Sequence, residues 1–303
     1  MSNSVEWGDL QFFLEVARCG TLTAAARRLS VEHSTVARRI DRLEKQFKSP
    51  LFDRRRDGYV LTETGLALMP RAEAMESAAL AVLEEAVGVR TGASGQVKLG
   101  TPEVFGTRFI TPRIGRLLEQ HPDLSIDLLL LPRFPNLANR EADLVVTLTP
   151  PEAGRYVVTR LTDIRYHLYG APVYLDQHPP IRSRADLAGH RFVDYAQDHL
   201  LADDLRFLEE FLGSPRRVLC ASGMLAQAEA VLAGVGLGML TTYAVTADTP
   251  LQRILPDTIV GKRTLWLVAP ADLLKLQRVR VVWDFLRTSV DDFLAEHEGG
   301  FTR

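Results

Sequence analysis

Cysteine is scarce in this chain of 303 residues. Cys19 and Cys220 are its two cysteines and lie far apart, so neither the CxxC spacing of zinc and redox sites nor a disulfide framework is present. This pattern excludes a small disulfide-stabilised fold, predicts no metal site and favours a reducing compartment. Because Cys19 is a poor resolving partner for Cys220, redox sensing is not the favoured interpretation of these thiols.

The chain also lacks the common motifs of enzymes. HExxH, GxSxG, a Walker A loop and a GxGxxG after a strand are all absent from the sequence. Gly234, Gly236 and Gly238 do not have the spacing of a dinucleotide loop and instead indicate a tight connection between a helix and a strand. We therefore predict a protein that is not an enzyme and needs no cofactor.

Signals for export or membrane insertion are missing as well. The first residues, MSNSVEWGDLQ, contain no basic segment followed by an apolar one, so we expect no secretory signal. Residues 230–247 are uncharged, but three glycines interrupt them, which favours a buried helix end and strand over a membrane span. The resulting expectation is a cytoplasmic protein with no membrane partner.

The chain as a whole has no excess of positive charge. Its 36 Lys and Arg residues against 38 Asp and Glu residues give a net charge of −2. Residues 33–62, however, hold eight basic and four acidic residues, and subtracting this +4 leaves −6 for the rest of the chain. Such a segment fits either a solvated helix face or a nucleic-acid interface.

The apolar spacing near the N-terminus predicts three short helices. The first has apolar residues at helical spacing and ends at Gly20; these residues are Leu10, Phe13, Leu14 and Ala17. The second covers residues 24–29 with Thr21 or Thr23 as its cap, and the third begins at His33 or Ser34. The apolar stripe of the third helix comprises Val36, Ile40, Leu43 and Phe47. Two short helices joined by a three-residue turn form a helix-turn-helix, which places its second helix in a major groove of DNA.

Basic and short polar side chains cover the outward face of the third helix and the segment that follows it. The helix face carries Arg38, Arg39, Arg42 and Lys45, and its first turn exposes His33, Ser34 and Thr35. Asp57-Gly58 predicts a hairpin over residues 53–62. This hairpin is headed by Arg54, Arg55 and Arg56, and would form a wing along the DNA backbone or in the minor groove. Together, the helix-turn-helix and the basic wing predict binding to double-stranded DNA.

These residues resemble those of the LysR-type transcriptional regulators. The matching segments are FFLEVARCGTLTAAARRLSVEHSTVARRIDRLEKQFKSPLFDRR and LTETG, and AVLAGVGLGML follows near residues 230–240. The resemblance implies an α/β protein with a mainly α-helical winged helix-turn-helix, a long linker helix and a two-lobed α/β domain like the periplasmic binding proteins. It places DNA-facing residues at Thr23, His33, Ser34, Thr35, Arg38 and Arg54, with Arg55 and Arg56 as additional positive charge. The family commonly has Pro near Ser34 and Ser at Ala37, so the base-reading set here is shifted toward Ser34 and Thr35.

We expect a DNA-binding domain over residues 1–62, a linker and dimerisation helix over 63–90, and an effector-binding domain over 91–303. The linker helix has apolar residues at alternating spacings of four and three, namely Leu68, Ala72, Met75, Ala79, Val82, Ala86 and Val89. This seam predicts a homodimer on a near-palindromic DNA site, with a kink near Pro70; the alternative is a helix packed on its own domain. The resemblance adds a tetramer formed as a dimer of dimers, with RNA polymerase as a further candidate partner.

Beyond residue 95, strand-like and helical segments alternate, which predicts a parallel, doubly wound sheet. We divide this part into a first lobe over 95–162 and 266–303 and a second lobe over 163–265. The crossings near 161–163 and 263–266 would form the hinge. An amphipathic helix over residues 274–294 closes the first lobe.

Ligands of such sheets bind beyond the carboxyl ends of the strands, beside helix N-termini. The effector-binding candidates are Thr101, Pro102, Glu103, Thr149, Asp198, Ser222, Met224 and Thr241. For Thr101, Ser222 and Thr241 the alternative is simple helix capping. The resemblance implies a small anionic effector in many cases, but Glu103 would oppose an anion unless Arg108 or Arg133 pairs with it. It would otherwise favour an amine or a hydroxyl-rich ligand, and the sequence leaves both open.

The sequence therefore predicts a sequence-specific DNA-binding transcriptional regulator, modulated by a small molecule bound between the two lobes. The alternative is a constitutive or architectural DNA-binding protein with a non-functional cleft. Salt-sensitive DNA binding without sequence preference would favour that alternative.

Overall fold

The computed structural model of the chain describes residues 6–56, 58–88, 93–130, 137, 141–196, 205–245 and 248–298. It contains a helical N-terminal domain with a two-stranded hairpin, one long helix and a C-terminal α/β domain. None of the described helices is both long and apolar enough to cross a membrane.

The N-terminal domain begins with three helices, α1 (Trp7–Cys19), α2 (Leu22–Leu29) and α3 (His33–Phe47). Gly20 ends α1 in a left-handed conformation with φ 70°, which glycine adopts without strain. Thr21 caps α2, because its hydroxyl accepts a hydrogen bond from the Ala24 N–H at 3.2 Å. The second helix therefore starts two residues before the predicted position.

The core of this domain lies where α3 crosses α1. Val36, Ile40 and Leu43 are buried together with Phe13 and Leu14, as the apolar stripes of the two helices predict. The last residue of the predicted α3 stripe, Phe47, is instead exposed at the end of the helix.

A two-stranded hairpin follows, with β1 (Phe52–Arg55) and β2 (Gly58–Leu61) as its strands. The Tyr59 N–H donates to the Gly20 carbonyl at 2.7 Å, which attaches the hairpin to the end of α1. A side chain at Gly58 would place its Cβ 2.4 Å from that same carbonyl oxygen, so the close approach requires glycine. The Glu44 carboxylate of α3 accepts the N–H groups of Leu51 and Phe52 at 2.8 and 3.2 Å, which fixes where the hairpin starts.

The long helix α4 (Glu63–Gly88) is continuous through Pro70. Its first half packs on the N-terminal domain, where Ala72 is buried in the core. Arg18 of α1 donates two hydrogen bonds to the Glu76 carboxylate at 2.6 and 2.9 Å, a paired geometry that fixes orientation. Further along, the Ser77 hydroxyl is bonded to the Asp272 carboxylate of the C-terminal domain at 2.5 Å. The helix thus contacts both domains.

The described strands of the C-terminal domain form one mixed sheet in the order β4-β3-β5-β11-β6-β9-β7-β8, with β10 beside β6. Its strands are β3 (Gly95–Thr101), β4 (Leu124–Leu130), β5 (Leu144–Thr147), β6 (Tyr156–Gly170), β7 (Phe192–Tyr195), β8 (Arg217–Ala221), β9 (Leu237–Thr241), β10 (Gln252–Ile254) and β11 (Val260–Pro270). Its α-helices are α5 (Thr111–Gln120), α6 (Pro172–Leu175), α7 (Phe207–Leu212), α8 (Met224–Leu232) and α9 (Gln277–Glu298). A π-helical segment, Phe105–Ile110, precedes α5.

The prediction of a parallel sheet is correct for the two ends of the sheet and wrong for its centre. Strands β3, β4 and β5 are parallel at one end, and β7, β8 and β9 are parallel at the other. Between them, the long strands β6 and β11 run antiparallel to each other. Both predicted hinge crossings fall inside these two strands, where the pairing shifts register between Leu265 and Trp266.

Candidate DNA interface and effector cavity

The N-terminal half of α3 and the adjoining face of α2 form an open surface. Thr23, His33 and Ser34 are exposed there, and Thr35 is half-buried. Arg27 of α2 borders the same shallow depression as Thr23, His33 and Thr35, although the sequence analysis did not single it out. Its position four residues after Thr23, one helical turn along the same face, is the sequence signal that identifies it.

The arginines of α3 divide into two groups. Arg38 is exposed and makes no ion pair with a described residue. Arg39 and Arg42 instead donate to the carboxylate of Asp9 in α1, at 3.0 Å from Arg39 and at 2.5 and 2.7 Å from Arg42. The Asp9 side chain is 0% exposed, and a buried carboxylate needs such partners. Arg39 and Arg42 therefore hold α3 to α1. Their side chains are still 34% and 41% exposed, and their role on the DNA face stays a prediction.

The wing carries one paired and two outward arginines. Arg54 donates to Asp41 of α3 at 2.6 Å, and its guanidinium lies 5.8 Å from the centre of the Tyr59 ring. The bond to Asp41 raises the pKa of Arg54 against the opposing effect of its desolvation. Arg55 and Arg56 are exposed and pair with no described residue. Asp57, at the predicted turn, lies outside the described residues.

Between the two halves of the large sheet lies a cavity of about 300 Å³. Five of the eight predicted effector residues line it, namely Pro102, Glu103, Ser222, Met224 and Thr241. They come from the end of β3, the start of α8 and the end of β9, which is where a ligand of such sheets is expected.

The other three predicted residues do not contribute to the described lining. Thr101 is buried at the end of β3, and its hydroxyl donates to the Pro102 carbonyl at 3.3 Å. Thr149 is exposed outside the cavity, and the preceding residue, Leu148, lines it instead. Asp198 lies outside the described residues.

Three tyrosines, Tyr166, Tyr195 and Tyr243, line the cavity and were missed in the sequence analysis. Burial raises the pKa of each hydroxyl well above its usual value, so all three stay neutral at physiological pH. Tyr195 and Tyr243 end or follow strands on the ligand side of the sheet, which is a usable signal, whereas Tyr166 lies within β6 and resembles an ordinary core residue.

Glu103 bridges the two halves of the sheet. Its carboxylate accepts the N–H of Leu225, in the first turn of α8, at 3.1 Å. A Cβ at Gly223 would lie 2.6 and 2.7 Å from the two carboxylate oxygens, so Glu103 rests directly on the backbone before α8. Of the two proposed cationic partners, Arg108 is exposed and makes no described bond to Glu103, and Arg133 lies outside the described residues.

Both cysteines are free thiols on different domains. Cys19 is half-buried at the end of α1, and Cys220 is exposed on β8. Among the described residues no group of three or more His, Cys, Asp or Glu side chains is arranged to hold a metal ion.

A winged helix-turn-helix joined by one long helix to a two-part α/β domain with a partly enclosed cavity defines a ligand-responsive, DNA-binding transcriptional regulator. A family model described as "Bacterial regulatory helix-turn-helix protein, lysR family" matches residues 7–66, and one described as "LysR substrate binding domain" matches residues 90–291. The chain belongs to the LysR family, which consists of transcription regulators and not of enzymes.

Relatives and solved structures cover nearly the whole chain. The transcriptional activator TtdR of Escherichia coli K12 is 24% identical over 302 residues, which is 97% of this chain and 96% of the relative. The structure of ArgP from Mycobacterium tuberculosis has a TM-score of 0.70 at 19% identity, covering 95% of this chain and 98% of the other. The structure of CrgA, a LysR-type regulator from Neisseria meningitidis, has a TM-score of 0.55 at 20% identity, covering 95% and 99%. At these identities the solved structures show a shared fold. Regulators of this family bind DNA through the helix-turn-helix and function as oligomers.

Proposed function

We propose that this regulator binds a near-palindromic promoter site as a homodimer and that a small molecule in the cavity alters this binding. The observation that carries the proposal is the presence, in one chain, of an open α2–α3 surface and of a partly enclosed cavity between the two halves of a sheet. The domain boundaries expected from the sequence support it, since α4 occupies most of residues 63–90. The cytoplasm is the corresponding location, because the target is DNA.

Side chains of α2 and of the start of α3 read the bases directly. Thr23, His33, Ser34 and Thr35 supply hydrogen-bonding groups that reach base edges or phosphates. Arg38, with the wing residues Arg54, Arg55 and Arg56, supplies positive charge for the DNA backbone. Arg27 joins this set on the basis of its position beside Thr23.

Dimerisation through α4 depends on a narrower seam than the sequence predicts. Leu68 and Ala72 already pack on the N-terminal domain of the same chain, as the alternative interpretation anticipated. Met75 is 46% exposed and Val82 65% exposed, and they lie one heptad apart on the same face of the helix. The side chains of Ala86 and Val89 lie outside the described residues. Apolar side chains this exposed are available to a second copy of the chain.

A substitution pair tests the dimer. Val82→Asp places a charge in the proposed seam, and light scattering should show a shift toward monomer at micromolar concentration. Leu66→Asp is the matched control, because Leu66 is 61% exposed but lies on the opposite side of α4. A monomeric wild-type protein, or equal effects of the two substitutions, would contradict a dimer built on this seam.

A thermal-shift screen of small metabolites tests the response to ligand. A compound that binds the folded protein raises its melting temperature, and an effector must also change DNA affinity because the two binding equilibria are linked. Fluorescence anisotropy with the DNA upstream of the regulator's own gene measures that affinity at a stated salt concentration. DNA binding without sequence preference, unaffected by every cavity ligand, would support an architectural role instead.

The finer mechanism extends the same proposal. Ligand binding shifts the closure of the two lobes about β6 and β11, which rotates one dimer against another in a tetramer and changes DNA bending. A ligand that leaves DNA bending unchanged would rule out this step. Contact with RNA polymerase is part of the proposal for promoters that the protein activates.

A further inference from the structure

The cavity presents a negative charge at the place where an anionic ligand would bind most favourably. The first turn of a helix attracts anions because its N–H groups lack partners within the helix. At the start of α8 this place is taken by the chain itself, since the Glu103 carboxylate accepts the Leu225 N–H at 3.1 Å and rests on Gly223. A second carboxylate brought to the same helix end would meet Glu103 directly.

The rest of the described lining does not offset this charge. Glu103 is the one residue with a charged side chain among the described residues that line the cavity. The remaining polar groups are hydroxyls of Ser222, Thr241 and the tyrosines, and aliphatic side chains complete the walls. In a partly enclosed space, charges interact more strongly than in water, so the sign of Glu103 governs which ligands enter.

The tyrosines favour the opposite sign of ligand. Aromatic rings attract organic cations through the negative charge of their faces, and Tyr166, Tyr195 and Tyr243 all line this one cavity. Burial is the largest cause of the raised pKa of Tyr195, followed by Tyr243 and then by the charge of Glu103. Glu103 and Tyr195 are therefore close enough to interact electrostatically.

Resting on the proposed function of this cavity, we propose that the effector is a small organic cation. Its protonated amine or amidine donates to the Glu103 carboxylate, and its apolar body lies against the tyrosines and aliphatic walls. Carboxylates and phosphates are disfavoured, because Glu103 already occupies the start of α8. Since Glu103 spans the two halves of the sheet, an amine that pairs with it contacts the bridge between the lobes.

Matched probes of similar size and different charge test the ligand class on the full-length protein. Phenethylamine, 2-phenylethanol and 3-phenylpropanoate share an aromatic body and differ in the terminal group. Calorimetry and thermal shift at millimolar concentration should rank them in that order, with the amine favoured over the carboxylate by at least about tenfold, as expected for a hydrogen bond to a charged group. Preference for the carboxylate, equal binding of the two, or binding by neither overturns the proposal.

Glu103→Gln tests whether Glu103 causes the preference. The amide oxygen can still accept the Leu225 N–H, so the lobe contact is retained while the charge is removed. We expect the amine to lose about tenfold in affinity and the carboxylate to gain. Glu229→Gln is the matched control, because Glu229 is exposed on the same helix α8. An unchanged preference in a Glu103→Gln protein with wild-type circular dichroism overturns the role of Glu103.

The proposed regulation is measured separately. If the amine binds through Glu103 but leaves DNA affinity unchanged, the charge preference stands and the coupling to DNA fails. If a carboxylate binds in the cavity and changes DNA affinity, the regulatory function stands and the cationic ligand class is wrong.

Discussion

Asp9 in the DNA-binding domain and Tyr243 in the effector cavity are both buried ionisable groups, but different means accommodate them. Asp9 is surrounded by the guanidinium groups of Arg39 and Arg42. Tyr243 has its pKa raised by burial, which keeps its hydroxyl neutral. The N-terminal domain thus uses part of its positive charge for its own stability, and a net charge counted from sequence overestimates what remains for DNA. The tyrosine hydroxyls of the cavity stay neutral, so Glu103 is the charged group among its described lining residues.

Removing the Asp9 charge should have the largest effect. Asp9→Asn replaces the acceptor of three charged hydrogen bonds, and we expect the N-terminal domain to lose about 3 kcal/mol of stability. Hydrogen exchange should accelerate in α1 and α3 while the C-terminal domain is unaffected. Asp53→Asn is the control, since Asp53 is exposed on β1. Equal hydrogen-exchange rates in the two variants would contradict this account of Asp9, because its carboxylate would then need no charged partners.

His167 in the C-terminal domain gives the next largest effect. Burial, together with Arg253 and Arg165, lowers its pKa from 6.5 to about 4, so the folded protein keeps it neutral. The unfolded chain binds the proton first, and stability should therefore fall as the pH drops from 6.5 toward 4, by about 2 kcal/mol. Denaturant unfolding across this range checks the slope, which His167→Gln should flatten. A wild-type slope in the variant would show that burial does not keep this group neutral.

A DNA-binding experiment distinguishes the exposed Arg38 of α3 from Arg42, which is bonded to Asp9. Arg38→Ala should lower affinity by about tenfold and reduce the salt dependence by about one unit, without changing stability. Arg42→Ala should chiefly lower stability, because it removes two of the bonds to Asp9. Anisotropy titrations at two salt concentrations, paired with unfolding curves, distinguish these outcomes. The reverse assignment of effects would show that Arg42 contacts DNA and that Arg38 chiefly stabilises the domain.

The smallest expected effect on stability is that of Asp163, a partly exposed carboxylate between the two halves of the sheet. It accepts hydrogen bonds from Lys262 at 2.7 Å, Thr264 at 2.9 Å and Arg160 at 2.8 Å, where β6 and β11 cross between the lobes. The bond to Lys262 contributes most to lowering its pKa from 3.8 to about 2. The resulting stability is present above pH 3.8 and is lost as the pH falls toward 2.

Because the Asp163 side chain is 23% exposed and its cations face solvent, we expect Asp163→Asn to cost about 1 kcal/mol at neutral pH. Hydrogen exchange along β6 and β11 locates the change, and a carboxyl titration by NMR checks the lowered pKa. A carboxyl that titrates at its ordinary value would show that the crossing is not held by this cluster.

The elements of the N-terminal domain could be predicted because their signals are local. Helical spacing, the Gly20 end and the Asp57-Gly58 turn each act within a few residues, and α1, α3 and the hairpin follow them. The division between Arg38 and Arg42 could not be predicted, since it depends on Asp9, which lies 33 positions before Arg42.

The features of the C-terminal domain that could not be predicted from the sequence likewise depend on contacts between distant residues. The predicted hinge crossings fall within β6 and β11, and the continuation of these segments as two paired strands over Tyr156–Gly170 and Val260–Pro270 depends on contacts between distant parts of the chain. The tyrosines converge on one cavity for the same reason, since they come from three different parts of the chain. Glu103 could be predicted as a cavity residue from its position after β3, but its contact with Leu225 spans 122 positions and could not.

The pairing of β6 with β11 determines where a part of this protein can be exchanged for that of another regulator. Asp163 on β6 stands opposite Thr264 on β11, and the hydroxyl of Thr264 bonds to the Asp163 carboxylate at 2.9 Å. The chain therefore leaves one lobe and returns to it at adjacent points, with the whole of the other lobe inserted between them. The inserted lobe can therefore be exchanged as a unit. A lobe from another regulator, joined at these two neighbouring positions, would bring a new set of ligand contacts. The sequence of the DNA-binding domain would stay unchanged.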